Sequence, residues 1–201
     1  MKIAILVEGA TEVAFREKLR EFLQNRLQQK MPKLKFIRQD GCIPKETKLK
    51  KVVENLLDND CDAVIALTDV YTGKNDFKDA ADAKAKMTKW VGDNPKFYPH
   101  TALHDFEAWL LPYWTTIQIL AKHNRSAPRG TPETVNHQKP PAYWIKEIFE
   151  LGKRPKSYNK PIDGKAILKN NDLAIAIQAC PELKAFVNRI ISLCDEDKLI
   201  P

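Results

Sequence analysis

The sequence predicts an α/β fold with a mainly parallel four-stranded sheet, flanked by helices and followed by a helical cap. Two runs of consecutive apolar residues, 3–7 and 63–67, lack the alternation of a half-exposed strand. Such runs are typical of strands buried on both faces in a parallel sheet. Segments whose apolar residues have helical spacing lie between the predicted strands. This alternation of strands and helices, with short connections, favours right-handed parallel crossovers.

The elements follow in order along the first half of the chain. Residues 3–7 form the first predicted strand, after which Gly9 allows a tight turn and Thr11 is a candidate helix N-cap. The apolar positions that follow have helical spacing and predict a helix over residues 12–29. The same two patterns then predict strands over residues 34–39, 61–68 and 97–103, and helices over residues 49–59 and 78–92.

The second half of the chain is predicted to be a helical extension. Pro112 forces a helix that begins near residue 105 to kink or start again. Residues 122–142 are rich in proline and lack an apolar period, which predicts a loop or lid rather than a core element. A short helix is expected around residues 144–149, and two helices over residues 173–193, the second starting at Pro181. We therefore expect a core over residues 1–111 and a basic, helical extension over residues 112–201.

Composition restricts the class of protein. The chain has 201 residues, 43% hydrophobic and 29% charged, as in a folded water-soluble domain. It has no apolar run of about 18 residues that would span a membrane, and no pattern of a signal peptide, so we expect a cytoplasmic protein without a membrane partner. The four scattered cysteines predict reduced thiols. The sequence contains neither the phosphate-binding motif G-x-x-x-x-G-K-[ST] nor the dinucleotide-binding motif G-x-G-x-x-G.

The net charge of +7 is concentrated in one segment. Residues 122–169 contain eleven Lys/Arg and four Asp/Glu, and the rest of the chain carries 22 of each sign. A basic segment on a neutral body indicates contact with a polyanion, most simply DNA or RNA, although a solvated loop would also account for it. The candidate contacts in and near this segment are Lys74, Arg125, Arg129, Lys153, Arg154, Lys156, Tyr158 and Lys160.

Acidic residues follow three of the four predicted strands. Glu8 follows the first strand, Asp69 the third, and Asp105 with Glu107 the fourth. Because neighbouring strands lie about 4.8 Å apart, acids at their tips can converge on one divalent cation. Carboxylate oxygens suit Mg²⁺ or Mn²⁺, which stabilise charge in phosphoryl transfer. Each acid alone is also explained as an ordinary residue of the sheet rim.

Several motifs resemble the DUF4276 group, whose members are Toprim-like proteins. These are V-E-G-x-T-E at residues 7–12, the acid after the third strand, and H-D-F-E-A-W-L at residues 104–110. The resemblance covers residues 1–111 and extends more weakly to Tyr158-x-Lys160 and to Cys180-Pro181 followed by Phe186. It relates the chain to the catalytic domains of topoisomerases, primases and overcoming-lysogenization-defect nucleases.

The resemblance implies a Mg²⁺-dependent nuclease. It implies that Glu8 is the general acid or base and that Asp69 holds the metal ion. Tyr71 stands where the family has a second aspartate, so Asp105 and Glu107 become the substitute ligands, with Asp76 a more distant one. Glu12 and His104 are the other candidate catalytic residues, although a hydrogen-bonded rim histidine would also explain His104.

Three interpretations of function remain open. The first is a Mg²⁺- or Mn²⁺-dependent nuclease on DNA or RNA, which by resemblance works beside an ATPase in bacterial defence or DNA handling. The second is a non-catalytic nucleic-acid- or protein-binding subunit that has lost the paired aspartates. The third is a small-molecule phosphohydrolase, which would act on nucleotides without needing a polymer.

Overall fold

A computed structural model describes residues 1–39, 41–70, 77–135, 139–152 and 157–201. Its centre is a sheet of four parallel strands in the order β2-β1-β3-β4. The predicted parallel α/β class is therefore confirmed. The strands are β1 (Lys2–Val7), β2 (Lys33–Arg38), β3 (Ala63–Val70) and β4 (Phe97–Leu103).

Helices cover both faces of the sheet, because alternate residues of the buried strands point to opposite sides. Ile3, Ile5 and Val7 pack into one core together with α1 (Ala10–Leu27) and the C-terminal helices. Ala4 and Leu6 pack into a second core, which α2 (Glu46–Asp58) and α3 (Ala80–Val91) complete. These three helices lie between successive strands, as the sequence predicts.

The register of the strands determines which side chains meet at the carboxyl edge. Val7 of β1 lies opposite Leu67 of β3, so Glu8 follows beside Thr68. In turn Asp69 lies opposite Ala102 of β4. The predicted third strand, 61–68, is wrong by two residues: β3 continues to Val70 because its pairing with β4 extends that far. Asp69 is therefore inside the strand rather than just beyond it.

Pro112 produces the predicted break after β4. Residues Phe106–Tyr113 form a 3₁₀ helix, and α4 (Trp114–Ala121) then begins. Proline has no N–H and its ring clashes with the carbonyl four residues earlier, which disfavours an α-helix across this segment. The remaining helices are α5 (Pro141–Leu151), α6 (Lys160–Lys169), α7 (Leu173–Ala179) and α8 (Pro181–Ser192). Three short 3₁₀ helices complete the described elements: Gln28–Lys30, Pro132–Thr134 and Glu196–Lys198.

Two features of the second half differ from the prediction. Helix α6 was not predicted; Asn159 caps it by accepting a hydrogen bond from the Ile162 N–H, at 3.1 Å. The prediction that residues 122–142 contribute nothing to the core is wrong for Glu133 and Val135, which are 4% and 1% exposed. The two helices at the C-terminus are confirmed, and α8 starts at Pro181 as expected.

Two further expectations concern the whole chain. All four cysteines are free thiols, as predicted. Among the described ranges, no helix has the length and apolar character needed to cross a membrane.

Candidate functional site

Glu8 connects the ends of the two central strands. Its Oε1 atom accepts hydrogen bonds from the Thr68 hydroxyl and from the backbone N–H of Asp69, the latter at 3.1 Å. Its own carbonyl oxygen accepts a hydrogen bond from the Gly41 N–H at 2.9 Å. The carboxylate is thus held in one orientation by a strand that is sixty residues away in sequence. The contacts of Thr68 and Gly41 with Glu8 were not predicted, because they depend on how distant segments align in the sheet and not on a local sequence pattern.

Asp69 lies within a concentration of negative charge. Burial raises the pKa of its carboxyl well above the ordinary value, and four neighbouring carboxylates raise it further. In order of decreasing effect these are Glu8, Glu12, Asp105 and Glu107. The structure therefore brings together five acidic residues that the sequence singled out, Glu8, Glu12, Asp69, Asp105 and Glu107; we call them the acidic cluster.

Glu12 belongs to this cluster from the first turn of α1. The residue is 5% exposed. Burial raises the pKa of its carboxyl, and Glu107 and Glu8 add to the effect. Its Oε2 atom lies against Gly9, where an added Cβ would approach to 3.1 Å. Glycine at position 9 thus leaves room for the carboxylate as well as for the turn.

The carboxyl of Asp105 is only partly satisfied by hydrogen bonds from the backbone. The residue is 4% exposed, and its Oδ2 atom accepts a hydrogen bond from the Ala142 N–H in the first turn of α5, at 3.1 Å. Its Oδ1 atom is buried without a hydrogen-bond partner among the described residues. Burial, with a contribution from Glu107, raises the pKa of Asp105 to about 7. A buried carboxyl oxygen without a donor is unusual and points to a missing proton, water or cation.

Glu107, in contrast, has positive and hydrogen-bonding partners. It is 1% exposed, and Lys160 Nζ lies 2.9 Å from its Oε2 atom. Tyr158 donates a long hydrogen bond of 3.5 Å to its Oε1 atom. Burial lowers the pKa of Lys160, but the attraction and hydrogen bond to Glu107, with the charges of Asp105 and Asp69, together outweigh burial and raise it. Burial and the Glu107 carboxylate raise the pKa of the Tyr158 hydroxyl.

His104 has an unusual backbone conformation beside the cluster. Its φ is +68°, a left-handed value that histidine adopts more readily than most residues. Its Nδ1 atom is buried and has no hydrogen-bond partner within the described ranges. Burial lowers the pKa of the ring, so the imidazole is neutral at neutral pH. The alternative of a hydrogen-bonded rim histidine is therefore not supported at Nδ1.

The basic candidates divide into three groups. Lys160 and Tyr158 contact the cluster directly. Arg125 lies apart from it, with its guanidinium 2.9 Å from Glu147 and over the ring of Trp144. Arg129 is exposed. The remaining basic candidates, Lys74, Lys153, Arg154 and Lys156, lie outside the described residues. Tyr71 and Asp76 lie outside them as well.

The acidic cluster is not assembled into a ready metal site. Among the described residues, no three His, Cys, Asp or Glu side chains are arranged so that they could hold one metal ion. The donor chemistry fits Mg²⁺ or Mn²⁺, since every group is a hard carboxylate oxygen and Asp105 Oδ1 has no partner. Metal binding at this edge therefore requires side-chain movement or a further ligand.

Two cavities adjoin the cluster on opposite sides of Glu8 and Asp69. One, of about 290 Å³, is bordered by Glu12, Glu107 and Lys160. The other, of about 210 Å³, extends towards α3 and is bordered by apolar and aromatic side chains. Glu8, Gly41 and Asp69 line both cavities. The end of the sheet is thus accessible from its two faces.

The fold and the cluster together define an α/β protein with acidic residues gathered at the carboxyl edge of a parallel sheet. The chain belongs to the family described as "Domain of unknown function (DUF4276)", which matches residues 7–191. The resemblance drawn from its motifs is thereby confirmed.

One solved structure is similar to the chain: the C-terminal region of the OLD protein of Xanthomonas campestris pv. campestris. The identity is 16% and the TM-score 0.43, over 92% of this chain and 95% of the other. No curated protein sequence matches the chain. Residue roles are therefore argued below from this chain's own side chains.

Proposed function

We propose that the protein is a Mg²⁺- or Mn²⁺-dependent nuclease that hydrolyses phosphodiester bonds of DNA or RNA. The observation that carries this proposal is the acidic cluster with the unpartnered Oδ1 atom of Asp105. Gathering five carboxylates in a partly buried place opposes folding, because desolvation and mutual repulsion both disfavour their charged forms. A bound cation would offset both effects, and a cation bound beside a phosphate is the basis of metal-assisted phosphoryl transfer.

Asp69, Asp105 and Glu107 are the residues that would hold the cation. When bound, it would supply positive charge next to the phosphate oxygens. Release of protons from Asp69 and Asp105 would accompany binding, since metal ligands must be ionised. Glu107 would have to exchange its contact with Lys160, which then becomes available to a phosphate.

Glu8 is proposed to exchange a proton with the sugar oxygen or with water. Its two hydrogen bonds from β3 hold it at the sheet edge between the two cavities, as a general acid or base requires. Glu12, in the adjoining cavity, and the neutral imidazole of His104 are further candidates for proton transfer. Arg129 and Lys160, with the basic candidates outside the described residues, are proposed to bind the polymer backbone.

The division of the chain also enters the proposal. Residues 1–111 would supply the acidic cluster, and residues 112–201 would cover it and bring positive charge. The helices of the second part pack against α1 and the 3₁₀ helix Phe106–Tyr113, which is consistent with this arrangement. An ATPase partner remains a prediction from the resemblance.

A second candidate function is a non-catalytic nucleic-acid- or protein-binding subunit. The contact between Lys160 and Glu107 favours it, because a lysine already neutralises one of the three proposed metal ligands. The arrangement of the described acids also favours the binding subunit, because no three of them are placed so that they could hold one metal ion.

The experiment that separates these candidates is cleavage of single- and double-stranded DNA and RNA with Mg²⁺ or Mn²⁺ added. Glu8→Gln and Asp69→Asn are expected to abolish metal-dependent cutting. Asp60→Asn is the matched control: Asp60 lies near the amino edge of the sheet, is 86% exposed and pairs with Lys2. It is expected to leave cutting unchanged.

Thermal unfolding completes the test, because the metal-bound folded state is stabilised by mass action. Metal is expected to raise the melting temperature of the wild type and of Asp60→Asn, but not of Asp69→Asn. Absence of both cutting and metal stabilisation would contradict the nuclease and leave the binding subunit. Turnover of mononucleotides without cutting of polymers would point to a phosphohydrolase.

A further inference from the structure

The second cavity beside the acidic cluster has a distinct chemical character. Its floor is formed by the buried side chains of Ile43 and Met87, and Phe77 and Trp90 border it. Both rings are half-buried, with centroids 6.0 Å apart and planes inclined by 45°. Glu8 and Asp69 form the wall shared with the cluster. One wall is therefore aromatic, and the opposite wall is acidic.

Size and charge restrict what this cavity can hold. Pockets for drug-sized ligands measure about 300–1,000 Å³, and this cavity measures about 210 Å³. It therefore suits a single ring system. Two carboxylates and one lysine, Lys45, line it, so its charged lining is on balance acidic and disfavours a phosphate group. A neutral planar ring can instead stack on the aromatic side chains. A nucleobase has these properties, and its amino groups can donate hydrogen bonds to carboxylates.

The position of the cavity relates the base to the chemistry. Because Glu8 and Asp69 belong both to this cavity and to the cluster, a base held here leaves its own phosphate at the cluster. The rest of the backbone can then continue towards the cavity bordered by Lys160, on the other side of the sheet edge. A base in a duplex is paired and stacked on both faces and would have to be extruded at the cost of its pairing and stacking, so an unpaired base is strongly favoured to enter.

We infer that the cavity bordered by Phe77 and Trp90 binds one unpaired base next to the phosphate that is cut. The substrate class is therefore single-stranded nucleic acid, or a strand with an unpaired end. The inference rests on the proposed nuclease function and adds to it the form of the polymer and two residues that recognise it.

The test measures binding without metal and cleavage with metal on the same preparations. Phe77→Leu and Trp90→Leu remove a ring but keep the position apolar, and Trp90→Phe keeps a ring. Tyr98→Leu is the matched control, since this tyrosine lies at the amino end of β4 and donates to the Pro95 carbonyl. Melting temperatures identify any variant that fails to fold.

The probes are labelled single-stranded DNA and RNA oligonucleotides, their duplexes, and single strands that lack one base at the cleavage position. Loss of one stacked base should weaken binding on the order of 10- to 100-fold. We expect this loss, and a matching rise in KM with little change in kcat, in both leucine variants. Trp90→Phe should restore most of the affinity. The base-free strand should bind the wild type as weakly as the intact strand binds the leucine variants.

The outcomes separate the inference from the proposed function. Cutting that is equally fast on duplexes, or unchanged in Phe77→Leu and Trp90→Leu, would overturn the base site and leave the nuclease intact. Binding that depends on both rings and on the missing base, without any cutting, would support the base site and contradict the nuclease. Absence of both cutting and ring-dependent binding would overturn both.

Discussion

Replacing Asp105 by asparagine should make the metal-free protein more stable at high pH and less stable relative to the wild type as the pH falls. The pKa of Asp105 is raised from 3.8 to about 7 in the folded protein, chiefly by burial. Its stabilising effect is therefore fully present below about pH 4, and is lost as the pH rises through about 7. Asparagine does not titrate, so Asp105→Asn is free of this loss.

The size of the effect follows from the displacement of the pKa. A change from 3.8 to about 7 corresponds to about 4 kcal/mol in the free energy of unfolding. Because the unfolded chain ionises near pH 4, about 1.7 kcal/mol of this is already lost at pH 5, and at most about 2.6 kcal/mol remains to be lost between pH 5 and pH 8. Access of water to the ionised group reduces this value, so we expect about 1–2.5 kcal/mol over that range. The quantity to measure is the difference in unfolding free energy between variant and wild type, by urea denaturation in a chelator across this pH range.

A second substitution separates ionisation from hydrogen bonding. Asp105→Ala also removes the titrating group, but it loses the bond from the Ala142 N–H as well. The difference in unfolding free energy between Asp105→Ala and the wild type should change with pH in the same way as that of Asp105→Asn. At every pH, Asp105→Ala should be about 1 kcal/mol less stable than Asp105→Asn, because the hydrogen bond is lost. If neither difference changes between pH 5 and pH 8, the carboxyl is not held against ionisation and the reasoning about the cluster fails.

Two further predictions concern single contacts. Lys160→Met leaves Glu107 buried without its cation and should lower the free energy of unfolding by about 2 kcal/mol. This is less than the roughly 3–5 kcal/mol typical of a fully buried pair, because the Lys160 side chain is half exposed. The double variant Lys160→Met with Glu107→Gln should recover part of that loss in the same denaturation experiment; purely additive losses would show that the pair is not coupled. The other prediction concerns Glu133, whose carboxylate accepts hydrogen bonds from the Trp109 ring N–H and from two backbone N–H groups at the start of α8. Glu133→Gln should therefore lower the free energy of unfolding by about 2–3 kcal/mol. An unchanged denaturation midpoint would contradict this role.

The central sheet could be predicted because its signals are local. Continuous apolar runs identify β1 and β3 as buried on both faces, and the strand–helix order predicts parallel pairing. The boundary of β3 was missed because a polar pair, Thr68 and Asp69, ends the apolar run while strand pairing continues. Backbone pairing with β4 determines where that strand stops, and the sequence of β3 alone does not contain that information.

The convergence of acids could also be predicted, but their individual environments could not. Carboxyl ends of parallel strands meet at one edge, so Glu8, Asp69 and Asp105 were expected together. The partner of Glu107, in contrast, is Lys160, fifty-three residues later and on a helix that was not predicted. Helix α6 begins with Asn159 and carries Pro161 in its first turn, a local signal that proline-based loop rules obscure.

The same limitation explains the loop prediction for residues 122–142. Proline and glycine correctly indicate that the described residues of this segment, 122–135 and 139–142, form no long helix of their own, yet Glu133 is buried. Its acceptors are filled by donors from two distant elements, the Trp109 ring and the first turn of α8. A charged residue in a polar segment has no pattern that predicts burial, because only the tertiary donors make burial favourable.

The two candidate functions differ in how the acidic cluster is neutralised. A binding subunit needs only protons and Lys160: the raised pKa values of Asp69 and Asp105 keep two carboxyls partly protonated, and the lysine neutralises Glu107. An enzyme needs those protons and that lysine to be replaceable. The unpartnered Oδ1 atom of Asp105 favours replaceability, since a purely structural acid would be expected to have both oxygens satisfied, as Glu133 does. The contact of Lys160 with Glu107 fits the binding subunit, but it is also compatible with an enzyme, because the lysine side chain is half exposed and can turn to a phosphate. Under the proposed nuclease function, the cluster is therefore a place prepared for a cation rather than a neutral remnant of one.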